Sequence, residues 1–168
     1  MPVPVTTSGR QEVFEQVLRD RGKALTQLAF CLCRNKEDAQ DLCAEAFASA
    51  WPRWQEGKVE DLTPYLRQVI VNMCKKAWRR EAIARRYAPQ LAADLVGEES
   101  SVQHRFDLID AVLRLPPRQR AVVVLRYFEE LSEQDTASLL SIATGTVKSR
   151  VSRALTTLRS SLEGESDV

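Results

Sequence analysis

Apolar residues recur at three- and four-residue steps along most of the chain, and that spacing predicts helices. Val13, Phe14, Val17, Leu18, Leu25, Leu28, Ala29 and Leu32 form one such series, and Ala39, Leu42, Cys43, Ala46, Phe47, Ala50, Trp51 and Trp54 form a second. The alternation of a half-buried strand does not occur over any convincing length. A third helix is expected to open at Thr63-Pro64, with Thr63 as N-cap and Pro64 in the first turn, where its missing N–H is harmless. Leu66, Val69, Ile70, Met73 and Ala77 would line its buried face. Gln68, Asn72, Lys75 and Arg79 lie opposite, with Trp78 at their edge. That polar stripe contains no acid, whereas solvated faces usually mix signs. Amides and cations beside an indole suit a phosphate backbone and unstacked bases.

Residues 131–159 read LSEQDTASLLSIATGTVKSRVSRALTTLR. Ser132 is a suitable N-cap for a short helix through Leu140, with Asp135 three residues on in a variant of the capping box. A turn at Ser141 to Ala143 should follow, and a second helix should begin near Thr144-Gly145-Thr146. With Val147 as zero, Val151, Leu155, Leu158 and Leu162 fall at about 40°, 80°, 20° and 60°, one narrow seam for a core. Thr146, Ser149, Ser152 and Arg153 point away from it, with Thr156, while Lys148 and Arg150 flank it. Small hydroxyls and cations on the outer face of a helix after a capped helix and a tight turn fit a helix-turn-helix that enters a major groove. Upstream, Pro117 is placed to open a helix, and the apolar run Ala121 to Phe128 (AVVVLRYF) reads as its buried scaffold. The second domain is thus a bundle of about four helices.

Charge divides the chain more sharply than it describes the whole. The 168 residues hold 24 Lys plus Arg and 23 Asp plus Glu, a net charge of +1, which excludes a protein whose partners are chosen by bulk charge. Residues 64–90 carry a net +6, however, and residues 91–111 a net −4. The acidic stretch 97–101 (GEESS) follows the basic block like a linker after a domain. The expected fold class is therefore all-α: two small helical domains, at residues 8–88 and 107–162, joined by a flexible linker over 89–106.

Candidate chemistry is sparse. Cys31, Cys33, Cys43 and Cys74 all fall in helical patterns, and the two-residue spacing of the first pair, about 200° on a helix, points to reduced thiols over a zinc site. His104 is the one histidine and has no nucleophile nearby in sequence. There is no Gly-rich phosphate loop and no paired acids of convincing spacing. No catalytic residue, metal or cofactor is expected, and the chain reads as no enzyme. Neither a membrane span nor the basic-then-apolar order of a signal peptide is seen, so a cytoplasmic protein is expected.

Three blocks in this order resemble the extracytoplasmic-function (ECF) group of bacterial sigma factors, small two-domain members of the sigma-70 family. They are residues 36–54 (KEDAQDLCAEAFASAWPRW), residues 63–81 (TPYLRQVIVNMCKKAWRRE) and the block from Leu131, with GTVKSRVSRAL its most specific piece. The resemblance implies a first domain (region 2) that docks on the clamp helices of core RNA polymerase and captures the melted minus-ten element. It implies a second (region 4) that sits on the polymerase flap and reads the minus-thirty-five element of promoter DNA. Asp41, Leu42, Glu45, Phe47 and Trp51 fall on the polymerase-binding helix, where a mix of apolar and acidic groups suits a protein interface. Asn72 falls on the minus-ten recognition position, and the loop from Gly57 to Leu62, with Lys58, on the segment that pockets a flipped base. Region 2 contacts to DNA are thus expected from Lys58, Gln68, Asn72, Lys75, Trp78 and Arg79, and region 4 contacts from Thr146, Lys148, Ser149, Arg150, Ser152 and Arg153.

An anti-sigma factor is a further candidate partner. Ala44 stands where the family often has Gln, Tyr65 where Trp is usual, Thr136 where Ile is customary, Ser141 where a turn Gly is customary and Lys148 where Arg is common. A left-handed Ser141 would be strained by about 1 kcal/mol, and Lys148 lacks the bidentate fork of Arg. The rival reading is a stand-alone helix-turn-helix regulator, from which the 41–51 docking helix would distinguish a sigma factor.

Overall fold

The computed structural model describes residues 6–87 and 107–166; among these there are seven α-helices and no strand. The chain divides into two compact units, Met1–Lys75 and Lys76–Val168, and the division falls inside the third helix. The linker expected over 89–106, with His104 and the acidic stretch 97–101, lies outside the described residues.

Helix α1 (Thr7–Cys33) is capped by the Thr6 hydroxyl, which accepts from the Gly9 N–H at 3.4 Å. It ends at Arg34 in the left-handed region (φ 65°), whose N–H returns to Phe30 O at 2.8 Å. Asn35 then caps α2 (Lys36–Gln55), so two residues join the helices, and Glu37 and Asp38 place negative charge in the first turn. The two pack through Leu25, Leu28, Ala29 and Leu32 on one side and Ala39, Cys43, Ala46, Phe47, Ala50 and Trp54 on the other. The Phe14 ring meets Phe47 and Trp51 edge-on, at centroid distances of 5.7 and 4.8 Å. Val13 and Leu18 remain exposed. They sit about 140° apart at the margins of their stripe, and one packed neighbour covers only its centre.

Helix α3 (Leu62–Tyr87) opens two residues earlier than expected, and its cap is Asp61, not Thr63: the Thr63 N–H donates to Asp61 Oδ1 at 3.3 Å. A carboxylate both accepts the bond and complements the helix dipole, so it displaces the neutral hydroxyl. Pro64 still falls among the first residues, whose N–H groups have no partner within the helix. The buried face is Leu62, Leu66, Ile70 and Cys74 at four-residue steps, with Val71 beside them. Val69, Met73 and Ala77, expected at its centre, are half-buried.

In the second unit, α4 (Asp107–Arg114) leads to α5 (Pro117–Val123), with Pro117 at its first position. Arg120 is buried and donates through Nη1 to Leu115 O (2.9 Å) and Leu113 O (3.3 Å), carbonyls at the end of α4. Helix α5 runs on into one wide π-type turn, Val124–Phe128. Ala121 to Leu125 are buried as expected, but Tyr127 and Phe128 are about half exposed, which corrects the apolar run at its end. A turn of wider pitch rotates its last residues off the face that α5 buries. Helices α6 (Glu133–Leu140) and α7 (Thr144–Ser166) complete the unit, and α7 packs against α4, α5 and α6 through Val147, Ala154 and Leu158.

Candidate nucleic-acid interface

The Ser132 hydroxyl accepts from the Asp135 N–H at 2.9 Å, the expected cap of α6. At its other end Ser141 takes φ 57° and ψ 47°; its N–H reaches Ser138 O, and the Ile142 N–H reaches Ala137 O at 3.0 Å. That pair of bonds is a Schellman closure, built here on serine. Ala143 O accepts from both Thr146 and Val147 N–H and so starts α7. The turn between the helices is thereby set by backbone bonds, and the seam Val147, Ala154 and Leu158 is buried, with Val151, Leu155 and Leu162 half-buried.

The outward face of α7 carries the residues expected to read DNA. Lys148, Ser149, Ser152 and Arg153 are exposed, and Thr146 and Arg150 are half-buried. Lys148 Nζ lies 3.6 Å from Glu133 Oε2, at the first position of α6. Ser149 donates its hydroxyl to Thr146 O, so its outward capacity is as an acceptor. Burial, together with the charges of Arg118 and Arg153, holds the Arg150 guanidinium below its ordinary pKa. Three arginines of one sign sharing one neighbourhood suit an anionic ligand. Sequence reading missed Arg118 and Glu133, because packing of helices distant in sequence, not local spacing, brings them to this face.

On α3, Gln68 and Asn72 are linked: the Gln68 amide donates to Asn72 Oδ1 at 3.0 Å. Asn72 is exposed, and with its oxygen accepting from Gln68 its NH2 group faces outward as a donor. Lys75 and Trp78 are half-buried and Arg79 is exposed. In the loop before α3, Lys58 is exposed and pairs with Glu56 at 2.6 Å, and this pairing holds the Glu56 carboxyl below its usual range. On α2, Asp41 and Glu45 are exposed at a four-residue step, with Leu42 and Trp51 half-buried. Phe47, expected on the same docking face, is buried against Phe14 and belongs to the core beneath it.

All four cysteines are free thiols, Cys43 and Cys74 buried, and the Cys43 Sγ–H donates to Gly22 O. Among the described residues no cluster of His, Cys, Asp and Glu could hold a metal ion, and no helix is long and apolar enough to cross a membrane.

Fold and surfaces together define a two-unit, all-helical protein with a helix-turn-helix in its second unit. Residues 17–83 match the Sigma-70 region 2 family, and residues 105–158 match the Sigma-70, region 4 family. The RNA polymerase sigma-E factor of Streptomyces antibioticus is 39% identical over 155 residues, spanning 89% of this chain and 84% of that protein. The ECF RNA polymerase sigma factor SigM of Mycobacterium tuberculosis is 34% identical over 149 residues, spanning 88% and 76%. A co-crystal structure of the sigma factor RpoE with the anti-sigma factor NepR from Bartonella quintana superimposes with a TM-score of 0.70 at 27% identity, covering 90% of this chain and 98% of that one. The chain belongs to the ECF group of the sigma-70 family, the alternative sigma factors that direct RNA polymerase in transcription initiation.

Proposed function

We propose that the work is divided between residues 8–88, which bind core polymerase and hold the opened minus-ten strand, and residues 107–162, which read the duplex minus-thirty-five element. The acid-free stripe Gln68, Asn72, Lys75 and Arg79 on α3 carries this reading. With Trp78 and Lys58 it offers amide, cation and indole to a single strand. Asp41, Leu42, Glu45 and Trp51 present the polymerase-binding face, with Phe47 behind it. Thr146, Lys148, Ser149, Arg150, Ser152 and Arg153 meet the major groove and its phosphates.

The chain makes and breaks no bonds itself and works in the cytoplasm, where core polymerase and promoter DNA are its partners. An anti-sigma factor, the partner of the RpoE structure that it resembles, would restrain it. Each captured base contributes about 1–3 kcal/mol of stacking. A few such bases offset an unpairing cost of a few kcal/mol per flipped nucleotide, so melting proceeds without ATP.

Transcription reconstituted with bacterial core polymerase on a genomic library, followed by mapping of start sites, tests this. Discrete new starts that depend on the protein are expected. Their absence, with no inhibitor present, would overturn it.

A further inference from the structure

We propose that Arg10 is a positioning residue for promoter opening: by gripping the end of α2 it fixes the loop after Gln55 in the shape that receives an unstacked base. This rests on the reading of the loop from Gly57 to Leu62, with Lys58, as the segment that pockets a flipped base. Arg10 lies in the first turns of α1, forty-four residues from the side chain it engages. Its Nη1 donates to Trp54 O at 2.8 Å, and Trp54 Nε1 donates back to Arg10 O at 2.8 Å. The guanidinium carbon also stands 5.4 Å from the centroid of the buried Trp54 ring. Two helices are thus locked in both directions, with a cation at the negative end of α2.

The lock sits on the turn that launches the loop. Gly57 (φ 71°) donates to Trp54 O and Lys58 to Arg53 O, both at 3.0 Å, which is a Schellman closure of α2. Trp54 O therefore takes two donors, one from the turn and one from Arg10, filling both lone pairs. A Cβ built on Gly57 would stand 3.2 Å from Arg10 Nη2, so the guanidinium closes over the glycine. Further along, Val59 is buried and Asp61 is tied to the Thr63 N–H, while Lys58, Glu60 and Asp61 stay exposed. A loop held at its start, middle and end needs little ordering when a base arrives, and saved ordering appears as affinity. Arg10 supplies the part of that hold that comes from another helix.

The test uses holoenzyme assembled from core polymerase and the full chain, as parent, Arg10→Met, Arg10→Lys, Gly57→Ala and the Arg10→Met/Gly57→Ala double variant. The probe is a fluorescein-labelled non-template oligonucleotide from a promoter found in the start-site mapping. Its affinity is read beside core affinity and the melting temperature of the free chain. Expected are a loss of about tenfold in oligonucleotide binding for Arg10→Met, a smaller loss for Arg10→Lys, and core affinity within twofold of the parent. Gly57→Ala, which strains the left-handed turn itself as well as crowding Arg10, should lose at least as much as Arg10→Met, and the double variant should lose less than the two single losses combined, because the contact they share is removed only once.

Parent-like oligonucleotide binding by Arg10→Met overturns the inference, as does a parallel loss of core affinity, the mark of a mere staple between α1 and α2. If Arg10→Met does not fold, Arg10→Lys is judged by the same criteria. A parent holoenzyme that starts transcription yet does not hold the oligonucleotide overturns the reading of the loop, and the inference with it.

Discussion

Ser141 holds a left-handed backbone where most chains would use glycine, and Thr136, one turn earlier in α6, buries a hydroxyl that has no hydrogen-bond partner among the described residues. Both are local departures from what a helix-turn-helix prefers. Left-handed serine is strained by about 1–2 kcal/mol, part of which glycine would lose again to its freer unfolded chain. Ser141→Gly is expected to raise the stability of the second unit by about 0.5–1 kcal/mol, read as an upward shift in thermal unfolding. An unsatisfied buried hydroxyl costs about 1–3 kcal/mol, so Thr136→Val, of nearly the same shape, should stabilise by about 1 kcal/mol in the same assay; a lower melting temperature would reveal a partner for the hydroxyl. The strain at Ser141 was legible through the resemblance, which has a turn glycine at that position. The orphaned hydroxyl at Thr136 was not, since nothing in a linear pattern says whether a threonine on a helix finds an acceptor.

At the scale of the elements, period and polarity placed nearly every helix, because an apolar stripe at helical spacing has few other ways to leave water. Boundaries fared less well where two residues compete for one role. Asp61 and Thr63 can each cap α3, and only the path of the chain shows that the carboxylate takes the N–H. The wide turn Val124–Phe128 was likewise invisible: AVVVLRYF scans as a uniform buried run, yet a change of pitch inside it leaves Tyr127 and Phe128 half in solvent. The polar face of α3 could be read, but not the bond that joins Gln68 to Asn72. Along that face, Lys75→Ala with Arg79→Ala should weaken open-complex formation. The double variant should also flatten its dependence on salt, lowering the log–log slope by about 1 to 1.5, as two lost contacts to single-strand phosphates require. Equal slopes for variant and parent in a promoter-melting assay would place the two cations off the strand.

Across the whole molecule, the proposed division of nucleic-acid tasks between two units predicts losses that separate by template. Arg153→Ala is expected to reduce initiation several-fold at promoters with an intact minus-thirty-five element and much less at those lacking one. Identical losses on both templates, measured by run-off transcription, would remove Arg153 from duplex reading. The balance of charge adds a constraint of its own. A net charge of +1 gives the chain little general attraction to DNA, and the Lys148–Glu133 pair goes further, setting the protein's own carboxylate beside a cation proposed to meet the groove. A phosphate or base at Lys148 competes with that carboxylate, so random duplex gains less from it than a bare ammonium would give. Glu133→Gln should raise affinity for arbitrary duplex about two- to fivefold, a gain measurable by filter binding, while preference for the cognate site narrows. On the proposed reading of α7 the glutamate would act as a brake on idling: less of the chain would be soaked up by the bulk of the chromosome, and more would be left free to find its enzyme first and its promoter second.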